Sequence, residues 1–101
     1  MGKLVKACSV TDLKPGSGKV VDVEGVQIAL FNVEGKFFAI DNTCKHHGGP
    51  LGEGALEGSV VACPWHGWMY DVKTGKCQTV PGVSVDTFSV TVKGQDVYIE
   101  V

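Results

Sequence analysis

Two short stretches of the 101-residue sequence gather the side chains best suited to holding a metal. The first reads Cys44-Lys45-His46-His47-Gly48-Gly49-Pro50-Leu51-Gly52, the second Cys63-Pro64-Trp65-His66-Gly67-Trp68-Met69-Tyr70-Asp71. Each offers one thiol and one imidazole at Cys-x-His or Cys-x-x-His spacing, tight enough for one loop to aim both the same way. Gly48 and Gly67 follow, where the backbone can turn sharply and pass close to a bound centre. Residues 47–62 leave room for a turn and a strand over 59–62, so the two loops can lie side by side over one site. Two Cys and two His suit a structural zinc held tetrahedrally. They also suit a binuclear iron centre bridged by sulfides, with both Cys on one iron and both His on the other. Zinc knuckles usually pair like ligands, whereas each loop here mixes them, which favours the binuclear reading.

These loops need a scaffold, and the rest of the chain supplies strands. Fourteen Gly and four Pro fall at turn-like intervals between β-branched runs, the pattern of an all-β domain. Runs over 4–8, 19–23, 26–31, 37–40, 88–92 and 97–101 read as strands. Residues 34–36 and 93–96 read as hairpin turns, with alternation that gives each flanking strand one buried face. A short helix is expected around 11–14, capped by Thr11 or Asp12 and ended by Pro15 and Gly16. Between 41 and 82 the apolar runs shorten and Gly and Pro crowd in; three of the four Cys and all three His lie here. The segment reads as a subdomain inserted into a small antiparallel β-barrel or sandwich, within a single domain over 1–101.

Nine Lys against eleven acidic residues give a net charge of −2, which offers no case for nucleic acid or an anionic membrane surface. No run reaches the ~20 apolar residues of a membrane span, and the first residues lack a signal peptide's apolar stretch. The expectation is a cytoplasmic protein, in which four Cys point to metal or redox chemistry before disulfides.

The two halves, C-x-H-x-G-x-x-L and C-P-x-H-G-x-x-Y-D, closely resemble the Rieske [2Fe–2S] proteins. They stand here as Cys44, His46, Gly48 and Leu51, then Cys63, Pro64, His66, Gly67, Tyr70 and Asp71. The resemblance covers essentially the whole chain and implies the Rieske fold with one [2Fe–2S] cluster. By it, Cys44 and Cys63 bind the inner iron, and His46 and His66 the outer, more exposed one. Two ferric ions, two sulfides and two thiolates sum to zero, whereas four thiolates would leave −2. A neutral centre accepts an electron more readily in low dielectric, so His ligation raises the potential, into a range of about −150 to +300 mV.

High-potential members carry an extra Cys in each loop, joined as a disulfide. The matching positions here are Gly49 and Trp65, so that link cannot form. A Ser that hydrogen-bonds a sulfide in those proteins is Trp68 here, while Tyr70 remains and by resemblance reaches the sulfur of Cys44 or Cys63. Fewer hydrogen bonds to sulfur place the expected potential in the lower half of the range, as in Rieske ferredoxins. His47 reads as a solvent-exposed histidine beside the cluster that helps steer docking. Trp65 reads either as part of an apolar docking surface with Pro64 or as packing under its loop, and one of Trp68 and Met69 as core. Pro81-Gly82 resembles the proline loop that covers the cluster from a third side, and equally fits an ordinary turn. Cys8 and Cys77 read as buried free thiols. Asp41, Glu53, Glu57, Asp71 and Asp86 read as solvated surface.

No carboxylate pair, Ser/His/Asp order or phosphate-binding Gly loop suggests catalysis by the chain itself. The resemblance implies a monomeric one-electron carrier between a flavin-dependent ferredoxin reductase and a terminal oxygenase. The alternatives are the small subunit of an assimilatory nitrite reductase, whose fold is Rieske-like and often lacks the ligands, and a structural zinc domain for protein binding.

Overall fold

The structure, a computed structural model, describes residues 3–44, 48–65 and 67–101. Its centre is the strand with the longest unbroken buried run. Strand β3 (Val26–Val33) is flanked by β2 (Ser17–Val23) and β4 (Lys36–Asp41), and β8 (Thr87–Phe88) pairs with the far edge of β4. A second sheet runs β1 (Leu4–Ser9), β10 (Asp96–Glu100), β9 (Val90–Lys93). A third, small sheet runs β5 (Ala55–Glu57), β6 (Val60–Ala62), β7 (Met69–Asp71), and all strand pairs are antiparallel. The all-β architecture with an inserted subdomain is therefore as the sequence implied.

From Ile28 onward β3 is buried on both faces, unlike the half-buried strands its alternation suggested. The period-two geometry of a strand explains this, because successive side chains serve different cores. Ile28 and Leu30 join Val21, Val23, Val97 and Ile99 in a core between the two larger sheets. Ala29, Phe31 and Val33 join Leu51, Val61, Tyr70, Val72 and both Cys44 and Cys63 in a second core beneath the inserted segment. One strand thus backs the frame and the candidate site together. The one polar residue in its buried run, Asn32, is satisfied: its amide donates to the Leu13 carbonyl (2.8 Å) and its oxygen accepts from Gly35 N–H (2.8 Å).

The insertion leaves from β4 and returns at β8, and because these strands pair, its two ends meet. The amide of Asp41 donates to the carbonyl of Asp86 at 2.8 Å, closing the neck. Residues 42–86 therefore form an insertion whose two ends are joined at the frame, where the sequence suggested 41–82. Two hairpins of the frame are built alike. Asp22 and Asn32 each accept the amide of a Gly three residues on, and Glu24 and Glu34 sit at φ 51° and 53° in the turns.

The helix expected at 11–14 is instead a single 3-10 turn, Val10–Asp12, started by Ser9. The Asp12 carboxylate reaches back to accept the Ser9 amide at 2.9 Å, so Asp12 acts inside the turn, not as its cap. Strands β5, β7 and β8 are too short, at two or three residues, to show a period in sequence. No helix among the described residues is long and apolar enough to cross a membrane.

Candidate metal centre

Each candidate loop is the tip of a hairpin. Loop one grows from a short ladder in which Leu51 N–H donates to the Asn42 carbonyl (2.7 Å) and Thr43 bridges Pro50. Asn42 is buried, and its side-chain oxygen accepts the Gly52 amide at 2.8 Å. Loop two grows from β6 and β7, with Ala62 opposite Met69 and Val61 opposite Tyr70.

Beyond these stems the two tips have one hydrogen-bond frame. In loop one the Cys44 amide donates to the Gly49 carbonyl (3.0 Å) and the Gly48 amide to the Cys44 carbonyl (2.9 Å). In loop two the Cys63 amide donates to the Trp68 carbonyl (2.7 Å) and the Gly67 amide to the Cys63 carbonyl (2.9 Å). Gly48 and Gly67 occupy the equivalent position at φ 76° and 78°, a left-handed conformation that a side chain would strain. The thiol of each loop stands at the start of this frame, and both are buried, 2% exposed for Cys44 and 3% for Cys63. His46, His47 and His66 lie outside the described residues.

The residues around the thiols explain the rest of the motif. Leu51 is fully buried and anchors loop one in the core that holds both sulfurs. Tyr70 is also fully buried, and its hydroxyl lies 3.4 Å from Cys44 Sγ. A thiolate has no proton, so with Cys44 ionised the hydroxyl is the donor. Cys44 is one of the two sulfurs the sequence offered to this hydroxyl. Asp41 and Asp71 are more than solvated surface: each accepts an amide two residues on, from Thr43 (2.9 Å) and Lys73 (2.8 Å), and so shapes the chain at one end of a hairpin.

A third segment packs beside the two loops. Cys77 sits opposite Tyr70, its amide donates to the Val83 carbonyl (2.8 Å), and its sulfur accepts the Val80 amide (3.4 Å). Val80 and Val83 pack against the core containing Cys44 and Cys63, while Pro81 and Gly82 between them are exposed. Pro81-Gly82 is thus the outer turn of a loop whose valines face the site core. The roles of Cys77 and Asn42 are not legible from sequence, because a loop-anchoring thiol and a buried amide have no spacing signature. Trp68 packs on the same core, Met69 is exposed, and Trp65 is 57% exposed. Cys8 lies in the other core, where burial pushes its thiol up from the ordinary value and keeps it protonated. The four cysteines form no disulfide.

The Rieske [2Fe-2S] domain pattern matches residues 3–93. This chain belongs to the Rieske [2Fe–2S] family. It is 39% identical over 98 residues to the 3-phenylpropionate/cinnamic acid dioxygenase ferredoxin subunit of Shigella boydii, covering 95% of this chain and 92% of that one. Among solved structures it resembles a chain from the complex of reduced oxygenase and oxidised ferredoxin in carbazole 1,9a-dioxygenase, with TM-score 0.88, 36% identity and coverage of 95% and 91%. It also resembles a protein of Mycobacterium tuberculosis described as an NADH-dependent nitrite reductase small subunit, with TM-score 0.92, 25% identity and coverage of 100% and 96%.

This Rieske chain carries a [2Fe–2S] cluster and is an electron carrier, not a catalytic subunit. Two buried thiols on twinned loops above one apolar core fit such a group. When bound, the cluster supplies a one-electron couple. The protein's part is to exclude water from the sulfurs through Leu51, Tyr70 and Val61, and to hold one hydroxyl donor at Cys44. That donor offsets negative charge on sulfur, which favours the reduced state.

Proposed function

We propose that Cys44 and Cys63 bind one iron of the cluster and His46 and His66 the other. The observation carrying this is the shared backbone frame of the two tips, each beginning at a buried cysteine and ending at a left-handed glycine. In each loop one motif imidazole falls between these two points in sequence. Equivalent loops on one core let each iron draw one ligand from each loop, and zinc sites seldom split their ligands this way.

We further infer a single domain over 1–101, working as a monomer in the cytoplasm, that takes an electron from a flavin-dependent reductase and passes it to a terminal oxygenase. Support comes from relatives that are ferredoxin subunits of dioxygenase systems and from the neighbour seen in complex with an oxygenase. Gly48, Pro64, Trp65, Gly67 and Pro81 are all exposed, so these uncharged residues at the loop end are available to a partner. Reconstitution tests the reading: NADH, a flavin-dependent ferredoxin reductase, this chain and an aromatic-ring oxygenase should give oxygenated product only when all are present. Reduction of the chain without turnover by any such oxygenase would overturn the acceptor assignment.

The likeness to the nitrite reductase small subunit favours a second reading as a docking subunit of such an enzyme. It predicts that replacing the cluster ligands leaves the chain's role intact. Retention of Cys44, His46, Cys63 and His66 argues for the carrier.

A further inference from the structure

Gly49 is buried although it has no side chain and its neighbour Gly48 is exposed. The groups that cover it come from the other loop. A Cβ built on Gly49 would lie 2.6 Å from Cys63 Sγ, 3.1 Å from Trp65 Cγ and 3.2 Å from Trp65 Cδ2. The indole of loop two therefore lies against the backbone of loop one, and that backbone in turn closes on the sulfur of Cys63. Only a residue without a side chain allows both approaches, because a carbon at 2.6 Å from sulfur is far inside contact distance.

We propose that Trp65 is a positioning residue, a non-covalent latch that holds the two ligand loops together across Gly49 and seals Cys63 Sγ from water. The inference rests on the ligand assignment above. The two loops hang from separate stems, one on residues 42–43 and 50–51 and one on β6 and β7, and no disulfide joins them. Their tips therefore need a contact to resist opening, and the Gly49–Trp65 seam provides it. The exposed face of the indole stays open to solvent while the inner face does this work. Packing and surface roles for Trp65, posed as alternatives by the sequence, are two sides of one ring. Trp65 also differs in kind from Tyr70, since its ring packs on loop backbone whereas Tyr70 places a hydroxyl beside a sulfur.

The test compares holo-protein variants by the rate at which visible absorbance is lost to an excess of iron chelator, with far-ultraviolet circular dichroism confirming the sheets. Trp65→Ala removes the seam and should speed cluster loss about ten-fold, the opening expected from about 50–60 Å² of lost apolar contact. Trp65→Phe keeps an aromatic ring and should stay within about three-fold of the parent chain. Gly49→Ala should match or exceed Trp65→Ala, and the double variant should be no worse than the poorer single one, because both break the same contact. The reduction potential of Trp65→Ala should also rise as water reaches Cys63 Sγ, whereas general loosening of the frame would leave it unchanged. Cluster loss from Trp65→Ala at the parent rate, or equal loss from Trp65→Phe and Trp65→Ala, would overturn the latch. The ligand assignment is judged separately, by whether the parent protein shows the cluster's absorbance at all.

Discussion

The two ligand loops share a backbone and differ in how each protects its sulfur. Cys44 is met by a hydroxyl, that of Tyr70, at 3.4 Å. Cys63 Sγ lies against the backbone of Gly49, and the Trp65 indole packs on that same glycine. The stems differ too. Loop one depends on the side chain of Asn42, which takes the Gly52 amide, whereas loop two continues a regular pair of strands. The lesson is a division of labour: equivalent tips supply the ligands, one surrounding adjusts charge on sulfur, and the other keeps water out.

Removing a ligand should erase the distinction between the loops. His46→Ala and His66→Ala should each abolish the cluster's visible absorbance and, since metal binding is coupled to folding, raise amide exchange across 43–72. A variant that keeps full absorbance would break the equivalence and the ligand set with it. Next in size is the asymmetry of the stems. Asn42→Ala leaves the buried Gly52 amide without its acceptor and should cost about 1–2 kcal/mol in chemical denaturation, with exchange rising first in loop one. Equal loosening of both loops would show that they do not open separately.

Tyr70→Phe probes the hydroxyl beside Cys44. Loss of one hydrogen bond to a charged acceptor, at about 1 kcal/mol of difference between oxidation states, should lower the potential by about 40 mV in a one-electron titration. Cluster retention should barely change, in contrast to Trp65→Ala. The smallest effect belongs to the frame. Glu34 holds a left-handed turn conformation that Asn adopts more easily, so Glu34→Asn should raise stability by about 0.5 kcal/mol in urea and leave potential and cluster loss untouched. Any change in potential from that variant would mean that the two cores are coupled through β3.

The contrast between the loops also shows where sequence reading reached its limit. Residue types and spacing were enough to propose a ligand set, because Cys and His at short separations in two loops are donors that a metal centre can share. The long strands were legible from alternation, and the insertion from its Gly-rich texture. Strands β5, β7 and β8 were not, since two or three residues cannot display a period, and their pairing is decided by partners remote in sequence. The contact of Tyr70 with Cys44 depends on which hairpin face the ring leaves, and that depends on register. Gly49 was visible only as the position where a disulfide could not form. That it is a seam depends on Trp65 arriving from sixteen residues away.

The roles of both loops depend on two thiolates and two imidazoles sharing one cluster. Electron–nuclear double resonance on the dithionite-reduced protein measures this directly. It should show hyperfine coupling to two imidazole nitrogens, with the pattern lost when His46 or His66 is replaced. A reduced cluster without nitrogen coupling, or a colourless chain with zinc in the site, would contradict it.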